Sequence, residues 1–291
     1  MNIEHVPVML REVVEMLGPK RDGVYVDATV GLGGHAEGIL RQAQGCTLIG
    51  IDRDDKALDI ARERLGKYEN VHLVRESFSN MKAVIGNLGL SNVNGILLDA
   101  GVSTLHLKSE GRGFSFLKDE PLDMRMDRRQ DLTAEEVVNR YPEKDLASVI
   151  WRFGEERSSR KIAKAIVIAR RKNPVRSCRE LADIIEKALG RRGRIHPATR
   201  TFQGIRIEVN KELDELSIAV ESGAELLQTG GRFCVLSYHS LEDRIVKNAF
   251  KKLAKEGLFR IITKKPLAPG REEQKSNPSS RSAKLRVGEK I

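Results

Sequence analysis

The sequence contains few cysteines and lacks long apolar runs. Its three cysteines, Cys46, Cys178 and Cys234, are scattered and odd in number, a pattern that predicts neither a disulfide framework nor a metal site. No apolar run reaches the ~18 residues that a membrane-spanning helix needs, and the first ten residues, MNIEHVPVML, are too short and too polar for a signal peptide. We therefore expect a protein of the reducing cytoplasm, with buried free thiols at Cys46 and Cys234, no metal and no membrane contact.

Acidic residues are fewer than basic ones. The 291 residues include 51 Lys and Arg against 41 Asp and Glu, which gives a formal net charge of +10. An excess of this sign favours a polyanionic partner, and nucleic acid is the first candidate. A generally basic surface without such a partner is the alternative that charge alone leaves open.

Strand and helix patterns alternate over the first hundred residues. Four strand patterns, GVYVDAT, CTLIGIDRD, VHLVRES and GILLDAG, are separated by helical ones such as DKALDIARERLGKY. This alternation predicts a parallel sheet covered by helices. Near the end of the chain, LFRIITKKP and AKLRVGEKI flank a long polar loop and predict an antiparallel edge to the sheet.

The alternation stops after DAGVSTLHL, and the patterns that follow are helical and rich in Arg and Lys. The segments TAEE at 133–136 and SCRE at 177–180 each predict a capping box at a helix start. Gly190 is predicted to end the helix that begins at SCRE. Gly230 and Gly231 are predicted to end a later helix, which leads back to a strand at 233–236.

These patterns predict two domains. Residues 1–104 and 201–291 are expected to form the sheet domain. Residues 105–200 are expected to form a helical domain inserted between two strands of the sheet, where most of the clustered basic residues lie. The fold class is therefore α/β, with a mostly parallel sheet and an inserted helical domain.

A glycine turn follows the first strand pattern, in VYVDATVGLGGHAEGIL. Gly31, Gly33 and Ala36 fit the G-x-G-x-x-A pattern of a nucleotide-binding turn, and Asp52 follows about 20 residues later. This match alone is weak, because every nucleotide-type strand-turn-helix unit needs similar glycines and a similar acid. A tight turn with no ligand is the structural alternative.

Asp27 distinguishes between the cofactors that such a turn could hold. Its carboxylate comes just before the turn, where it would repel the pyrophosphate of a dinucleotide. S-adenosylmethionine (SAM) has no phosphate and carries ammonium and sulfonium cations, which a nearby acid stabilises. We therefore predict a SAM site, with Gly33 and Gly34 against the methionine portion and Asp52 accepting hydrogen bonds from the ribose.

Two more residues follow strand ends of the same sheet. Phe78 comes after the third strand, where an adenine ring would lie, although an ordinary core position is an equal alternative. Asp99 ends the fourth strand, at the carboxyl edge where open α/β sheets place their chemistry. Because an acid is costly to bury without a partner, we expect a functional Asp99.

Nine strings of residues, in order along the chain, resemble a known family, the RsmH (MraW) family. They run from residue 5 to residue 286 and are HVPVM, DATVGLGGH, GIDRD, DAGVS, RGFSF, PLDMRMD, HPATRTFQGIRIEVNKEL, SYHSLEDRIVK and NPSSRSAKLR. The resemblance implies a class I SAM-dependent methyltransferase with a Rossmann-like sheet. It also implies methyl transfer to the exocyclic N4 of a decoding-centre (P-site) cytidine in 16S rRNA of the small ribosomal subunit.

The resemblance also implies a set of cofactor contacts. Carried over by position, the SAM-binding residues are Gly33, Gly34, His35, Asp52, Phe78, Asp99 and His106. The family usually has Gln where this chain has His106. A histidine can donate or accept one hydrogen bond at each ring nitrogen but cannot reproduce both functions of one amide group.

Catalysis at cytosine N4 requires a hydrogen-bond acceptor, because the nitrogen lone pair is delocalised into the ring. The acceptor must stabilise the charge that develops as the methyl group arrives, and the target base must leave its stack to be reached. Ser103 and His239 are the catalytic candidates; Asp99 and Ser237 share their position at the sheet edge, and Tyr238 is a candidate to stack on the base. For His239, orienting a loop through hydrogen bonds is an equal alternative.

The RNA-binding surface is expected on the helical insertion, with RGFSF and the C-terminal RSAKLR. The candidate phosphate contacts are Arg170, Arg171, Lys172, Arg191, Arg192, Arg194 and Arg200. For each residue singly, a solvated surface charge is the alternative. The sequence leaves the oligomeric state open between a monomer and a homodimer.

Three other functions are weighed against this one. Amino methyltransferases of DNA carry a D/N/S-P-P-Y/F string after the fourth strand, whereas this chain has DAGVS. A non-catalytic RNA-binding protein with this fold would tolerate an eroded glycine turn, but the turn is intact. An NAD-dependent oxidoreductase is disfavoured by Asp27.

Overall fold

The computed structural model describes residues 6–101, 111–190 and 195–291. The chain forms two compact units, one of Met1–Gly101 with Leu213–Ile291 and the other of Val102–Glu212. The boundaries between the units therefore lie at 101/102 and 212/213, whereas the sequence patterns predict domain boundaries at 104/105 and 200/201.

The described residues contain seven strands and twelve α-helices. The strands are β1 (Val24–Asp27), β2 (Thr47–Asp52), β3 (Val71–Arg75), β4 (Val93–Asp99), β5 (Leu227–Ser237), β6 (Phe259–Ile261) and β7 (Lys284–Lys290). The helices are α1 (Leu10–Leu17), α2 (Gly34–Gln42), α3 (Asp55–Leu65), α4 (Met81–Asn87), α5 (Ala134–Arg140), α6 (Glu143–Arg152), α7 (Ser159–Arg170), α8 (Cys178–Leu189), α9 (Thr199–Asn210), α10 (Glu212–Leu226), α11 (Ser240–Lys255) and α12 (Arg271–Ser276). Among the described residues, no helix is long and apolar enough to cross a membrane.

All seven strands belong to one sheet, in the order β3-β2-β1-β4-β5-β7-β6. The first five strands of this order are parallel, and β7 is antiparallel to both β5 and β6. The predicted fold class is thereby confirmed: a Rossmann-like class I methyltransferase sheet, mostly parallel with an antiparallel edge. The loop between β6 and β7 contains α12, a short helix that the sequence analysis did not predict.

Both faces of the sheet are covered, and β4 shows why its sequence is almost continuously apolar. Ile96 and Leu98 point into one cluster with residues of α4, α10 and α11, whereas Leu97 points into the opposite cluster with residues of α1, α2 and α3. All three side chains are fully buried. Alternate residues of a strand face opposite sides, so a strand buried on both sides needs apolar residues at every position.

The glycine pair Gly230–Gly231 lies inside β5 and does not end a helix, contrary to the prediction. Helix α10 ends at Leu226, and β5 begins at the next residue. The pairing with β4 jumps from Val93↔Leu227 to Gly95↔Arg232, so residues 228–231 form a bulge. Gly230 supplies a φ of +80° there, a conformation that glycine adopts without strain.

The three cysteines are buried and free, which confirms the prediction for Cys46 and Cys234. Burial raises the pKa of all three thiols, to about 12 at Cys178 and Cys234. At neutral pH these groups therefore stay protonated and serve as small apolar side chains.

Helices α5 to α9 enclose an apolar core of their own. The capping box predicted at Ser177 is present in full, with Glu180 as its reciprocal partner, and Gly190 ends α8 with a φ of +72°. At the start of α5, Thr133 accepts the backbone N–H of Glu136 as predicted. The Glu136 carboxylate, however, is 2.9 Å from Arg140 Nη1 one turn later, so that box is only half confirmed.

Two glycines allow close packing inside this helical unit. A Cβ atom on Gly154, just after α6, would lie 2.4 Å from the carbonyl oxygen of Arg200 in α9. A Cβ atom on Gly204 would lie 3.0 Å from the Gly154 nitrogen. Both contacts are with backbone, which cannot move aside as a flexible side chain can.

We expect Gly154→Ala to destabilise the protein by about 1–3 kcal/mol or more, because an added methyl group overpacks a rigid contact. The matched control is Gly86→Ala in α4, where nothing lies within 4 Å of the added Cβ and the helix propensity of Ala adds up to about 1 kcal/mol. Chemical denaturation of both variants measures the difference. Equal unfolding free energies for the two variants would contradict the packing described.

Candidate active site

Three acidic residues end three neighbouring strands of the sheet. Asp27 is the last residue of β1, Asp52 of β2 and Asp99 of β4, and β1 lies between the other two strands. Because parallel strands end at the same edge, their carboxylates are brought together at the carboxyl edge. This edge therefore concentrates negative charge.

Asp27 is the most deeply buried of the three, with 1% of its surface exposed. Its Oδ1 accepts the N–H of Thr29 at 3.3 Å, whereas Oδ2 has no hydrogen-bond partner among the described residues. Burial raises the pKa of Asp27 to about 7. The neighbouring charge of His35 opposes this rise, and the charges of Asp99 and Asp52 add smaller increases. A buried acid with an unused oxygen is suited to a cationic ligand.

The glycine turn is tied to Asp52. Its Oδ2 accepts the N–H of Gly31 at 2.9 Å, and its Oδ1 accepts the N–H of Asp54 at 2.9 Å. Gly31 and Gly33 have φ of +49° and +77°. The carboxylate predicted to meet a ribose is thus held rigidly beside the glycine turn.

Gly34 meets the N-terminal segment. A Cβ atom at this position would lie 2.4 Å from Cγ of Pro7. His35, the next residue, is buried and its Nε2 donates to the carbonyl oxygen of Val8 at 2.8 Å. The first turn of α2 is therefore packed beneath the segment that precedes α1.

That N-terminal segment is itself held by α12 and the residue after it. The Met9 N–H donates to Glu273 Oε1 at 2.7 Å, and Asn277 Nδ2 donates to the Val6 carbonyl at 3.1 Å. Residues more than 260 positions apart thus support the same glycine turn. No pattern in the sequence could have shown this contact, because it depends on how the chain ends meet.

Asp99 is held from two sides. Its N–H donates to Thr29 Oγ1 at 2.7 Å, and its Oδ1 accepts the hydroxyl of Tyr238 at 2.7 Å. Its Oδ2 lies 3.8 Å from Nδ1 of His35, and 22% of the side chain remains exposed. Burial raises the pKa of Asp99, while His35 and the Tyr238 hydroxyl oppose that rise.

Tyr238 was considered as a platform for the target base, but its hydroxyl is bonded to Asp99. Its ring also faces Gly101, where an added Cβ would lie 3.1 Å from ring atom Cδ2. Burial, followed by the charge of Asp99, raises the pKa of Tyr238 well above its ordinary value. Tyr238 is therefore a neutral hydrogen-bond donor that orients Asp99, a function that sequence reasoning missed.

Phe78 begins a short 3-10 helix three residues after the last residue of β3. The guanidinium of Arg53 lies 5.4 Å from its ring centroid, and the ring is half-buried against the core. Arg53 in turn donates to Ser77 Oγ at 3.3 Å and lies 3.6 Å from Glu215. Both the core position and an adenine contact are compatible with this partial exposure.

His239 caps helix α11. Its Nδ1 accepts the backbone N–H of Glu242 at 3.4 Å, and its Nε2 lies 3.1 Å from Glu242 Oε1. The other carboxylate oxygen accepts the N–H groups of Tyr238 and His239. These bonds fix the start of α11 and the orientation of the His239 ring. Ser103 and His106 lie outside the described residues.

The predicted phosphate contacts divide into different environments. Arg170 donates to the carbonyl oxygens of Val138 and Tyr141 at 2.6 and 2.7 Å, so its guanidinium is used inside the helical unit. Arg171 and Lys172 are exposed, as is Arg200. Arg191, Arg192 and Arg194 lie outside the described residues.

The residues at the carboxyl edge fit SAM. Asp27 offers an unused buried oxygen, Asp99 offers a partly exposed carboxylate, and both favour positive charge. The glycine turn adds positive-φ backbone that can approach a ligand closely. The same acids disfavour a pyrophosphate, since no fixed cation in the described part of the chain forms an ion pair with Asp27.

Comparison with known proteins identifies close relatives over the whole length. The family model described as the MraW methylase family matches residues 2–291. The protein named Ribosomal RNA small subunit methyltransferase H from Sulfurihydrogenibium sp. (strain YO3AOP1) is 50% identical over 293 residues, covering 99% of this chain and 100% of its own. The protein of the same name from Persephonella marina is 48% identical over 293 residues, which cover 99% of this chain and 100% of the relative's chain.

A third relative carries the same name. Ribosomal RNA small subunit methyltransferase H of Clostridium botulinum (strain Kyoto / Type A2) is 47% identical over 311 residues and aligns over 100% of both chains. Among solved structures, an rRNA methylase from Streptococcus thermophilus covers 97% of this chain and 93% of its own. Its TM-score is 0.46 and its identity 11%, too low to support an inference.

We expect the stability contribution of Asp27 to depend on pH. Its pKa is about 7 in the folded protein and about 3.9 in an unfolded chain, so folding favours the protonated acid. This contribution is complete below about pH 4 and is lost as pH rises through about 7. At about 1.4 kcal/mol per pKa unit, the unfolding free energy of the wild type should fall relative to that of Asp27→Asn by up to about 4 kcal/mol.

Chemical denaturation between pH 4 and 8 measures this difference. Asp22→Asn is the control for the loss of one charge, because its side chain is 82% exposed. If the difference in unfolding free energy between the wild type and Asp27→Asn stays constant across this range, Asp27 has the same pKa in the folded protein as in the unfolded chain, which would contradict the prediction.

Proposed function

The chain belongs to the MraW methylase family, and from this premise we propose that it transfers a methyl group from SAM to the N4 of a decoding-centre cytidine in 16S rRNA. The relatives' shared name supports small-subunit rRNA as the substrate class. The position N4 and the P-site cytidine are what the sequence resemblance implies. We place the activity in the cytoplasm, where small ribosomal subunits are found.

The observation that carries this proposal is the group of acids at the carboxyl edge. Asp27 is buried with an unused oxygen, and Asp99 next to it is partly exposed. SAM supplies an electrophilic methyl group bound to a sulfonium centre. The acids stabilise positive charge at this edge, and the Asp52 carboxylate is fixed beside the glycine turn by the N–H of Gly31.

The residues proposed to contact the cofactor are those carried over from the resemblance. The structure describes Gly33, Gly34, His35, Asp52, Phe78 and Asp99, and His106 completes the proposed set. Gly33 and Gly34 provide backbone without side chains, and Phe78 provides an apolar face for a ring. His35 links the set to the N-terminal segment through Val8.

Asp99 is suited to receive the amine of the target base. Tyr238 fixes its Oδ1, which leaves Oδ2 as the oxygen that can accept a hydrogen bond. Accepting from N4–H would localise electron density on the nitrogen and stabilise the charge that develops there. The reacting nitrogen must also be held in line at ~3 to 3.5 Å, so a rigid acceptor is an advantage.

Small subunits that lack the modification provide the test of the reaction. We expect incubation with the protein and SAM to produce N4-methylcytidine at one decoding-centre position, detected by nucleoside mass spectrometry after site mapping. Subunits that already carry the modification are the control and should gain no methyl group. Methylation at another atom or base would contradict the proposed target while leaving the cofactor in place.

Ser103 and His239 are the proposed catalytic residues, and single-turnover rates test them. We expect Ser103→Ala and His239→Ala each to slow methyl transfer by about 100-fold or more, the usual scale for loss of a catalytic acid–base group. His239→Asn separates catalysis from capping, because asparagine can still accept the N–H of Glu242.

If His239→Asn transfers the methyl group at the wild-type rate, His239 acts only as the cap of α11. If Ser103→Ala does so, Ser103 has no catalytic function. Asp99→Asn with normal SAM binding but slow transfer would assign the amine contact to Asp99.

A further inference from the structure

The helical unit carries an open groove beside helix α6. The groove has a volume of about 720 Å³. One wall consists of Lys144, Ala147, Ser148 and Trp151, which are spaced i, i+3, i+4 and i+7 and therefore share one face of α6. The opposite face of the same helix is buried in the core of the unit.

Trp151 is the only tryptophan in the chain, and 55% of its surface is exposed. Its neighbours on the helix face, Ala147 and Ser148, are small, so they leave the ring uncovered. Large aromatic side chains are normally buried for their area. An exposed indole at a groove is suited to stack on a flat partner.

The second wall is formed at the start of α7 by Arg157, Ser159 and Arg160. Lys144, Arg157 and Arg160 are exposed, and within the described parts of the chain none of them forms an ion pair or a hydrogen bond. Some other basic residues of the unit are paired, such as Arg140 with Glu136 and Arg206 with Glu212. Glu143 is the one carboxylate among the lining residues, so the lining has a net positive charge.

Ser159 adds a separate indication of a ligand. It lines the groove, is 4% exposed, and its hydroxyl has no hydrogen-bond partner in the described residues. It is the first residue of α7, and the side chain of the N-cap residue Ser158 makes no capping bond. Glu156 accepts the N–H groups of Ser158 and Ser159, while the remaining first-turn N–H groups have no partner within the helix and favour an anion. No acidic residue lies in that turn.

We propose that this groove binds a single-stranded segment of the RNA substrate, with one base stacked on Trp151. Its phosphates lie against Lys144, Arg157 and Arg160. Stacking aromatics combined with unpaired cations are the usual means of binding single strands. This inference rests on the proposed function for the RNA, but it concerns a surface that the methyl-transfer site does not include.

Fluorescence of the full-length protein tests the groove directly, because all tryptophan emission comes from Trp151. We expect an eight-nucleotide oligoadenylate to quench this emission at low salt. By anisotropy of the labelled oligonucleotide, Trp151→Ala should weaken binding about 5- to 150-fold, the range for loss of one stacked base. Trp151→Phe should restore much of the affinity.

Charge is tested separately. The double variant Arg157→Gln, Arg160→Gln should lower the slope of log affinity against log salt by roughly 1.4, since each phosphate contact on a single strand contributes about 0.7. Ile168→Ala and Lys187→Gln are the matched controls, an exposed apolar and an exposed basic residue of the same helical unit. Both should bind as the wild type does.

With unmodified subunits, Trp151→Ala should raise KM and leave kcat unchanged. Absence of quenching together with wild-type affinity in Trp151→Ala would overturn the proposal. If Trp151→Ala raises KM for subunits but binds the oligonucleotide as the wild type does, the proposal is also overturned. The groove would then contact a protein of the small subunit instead of RNA. If wild-type protein binds the oligonucleotide through Trp151 but methylates no subunit, the groove stands and the proposed function fails.

Discussion

The burial of Asp27 at the end of β1 is the constraint around which this site is organised. Its neighbours Asp52 and Asp99 end the adjacent strands, so negative charge accumulates where the sheet topology removes water. Hydrogen-bond donors hold two of these acids. The backbone N–H groups of Gly31 and Asp54 donate to Asp52, and the hydroxyl of Tyr238 donates to Asp99. One oxygen of Asp27 has no hydrogen-bond partner among the described residues, and a carboxyl group in this position favours a cationic ligand.

The glycine turn depends on both ends of the chain. Pro7 and Val8 contact the first turn of α2, and Glu273 and Asn277 hold the segment that contains them. The loop between β6 and β7 is therefore more than a connection between edge strands. It supports the glycine turn through the N-terminal segment.

The helical unit has different physical requirements. Its own apolar core lets it fold around α5 to α9, and glycine contacts bring α6 and α9 together. Burial on one face of α6 leaves the other face free to carry Trp151 and Lys144. A rigid helix with an exposed aromatic and unpaired cations can recognise a flexible polyanion without being part of the catalytic edge.

Local patterns determined much of this protein, because helix caps, strand alternation and strand-end position act over a few residues. Ser177, Gly190 and the strands that end at Asp27, Asp52 and Asp99 were predictable in this way. Tertiary structure alone decided the bulge at Gly230, the internal bonds of Arg170 and the bond from Tyr238 to Asp99. It also set the pKa of Asp27, because desolvation and partner distance arise only when distant segments meet.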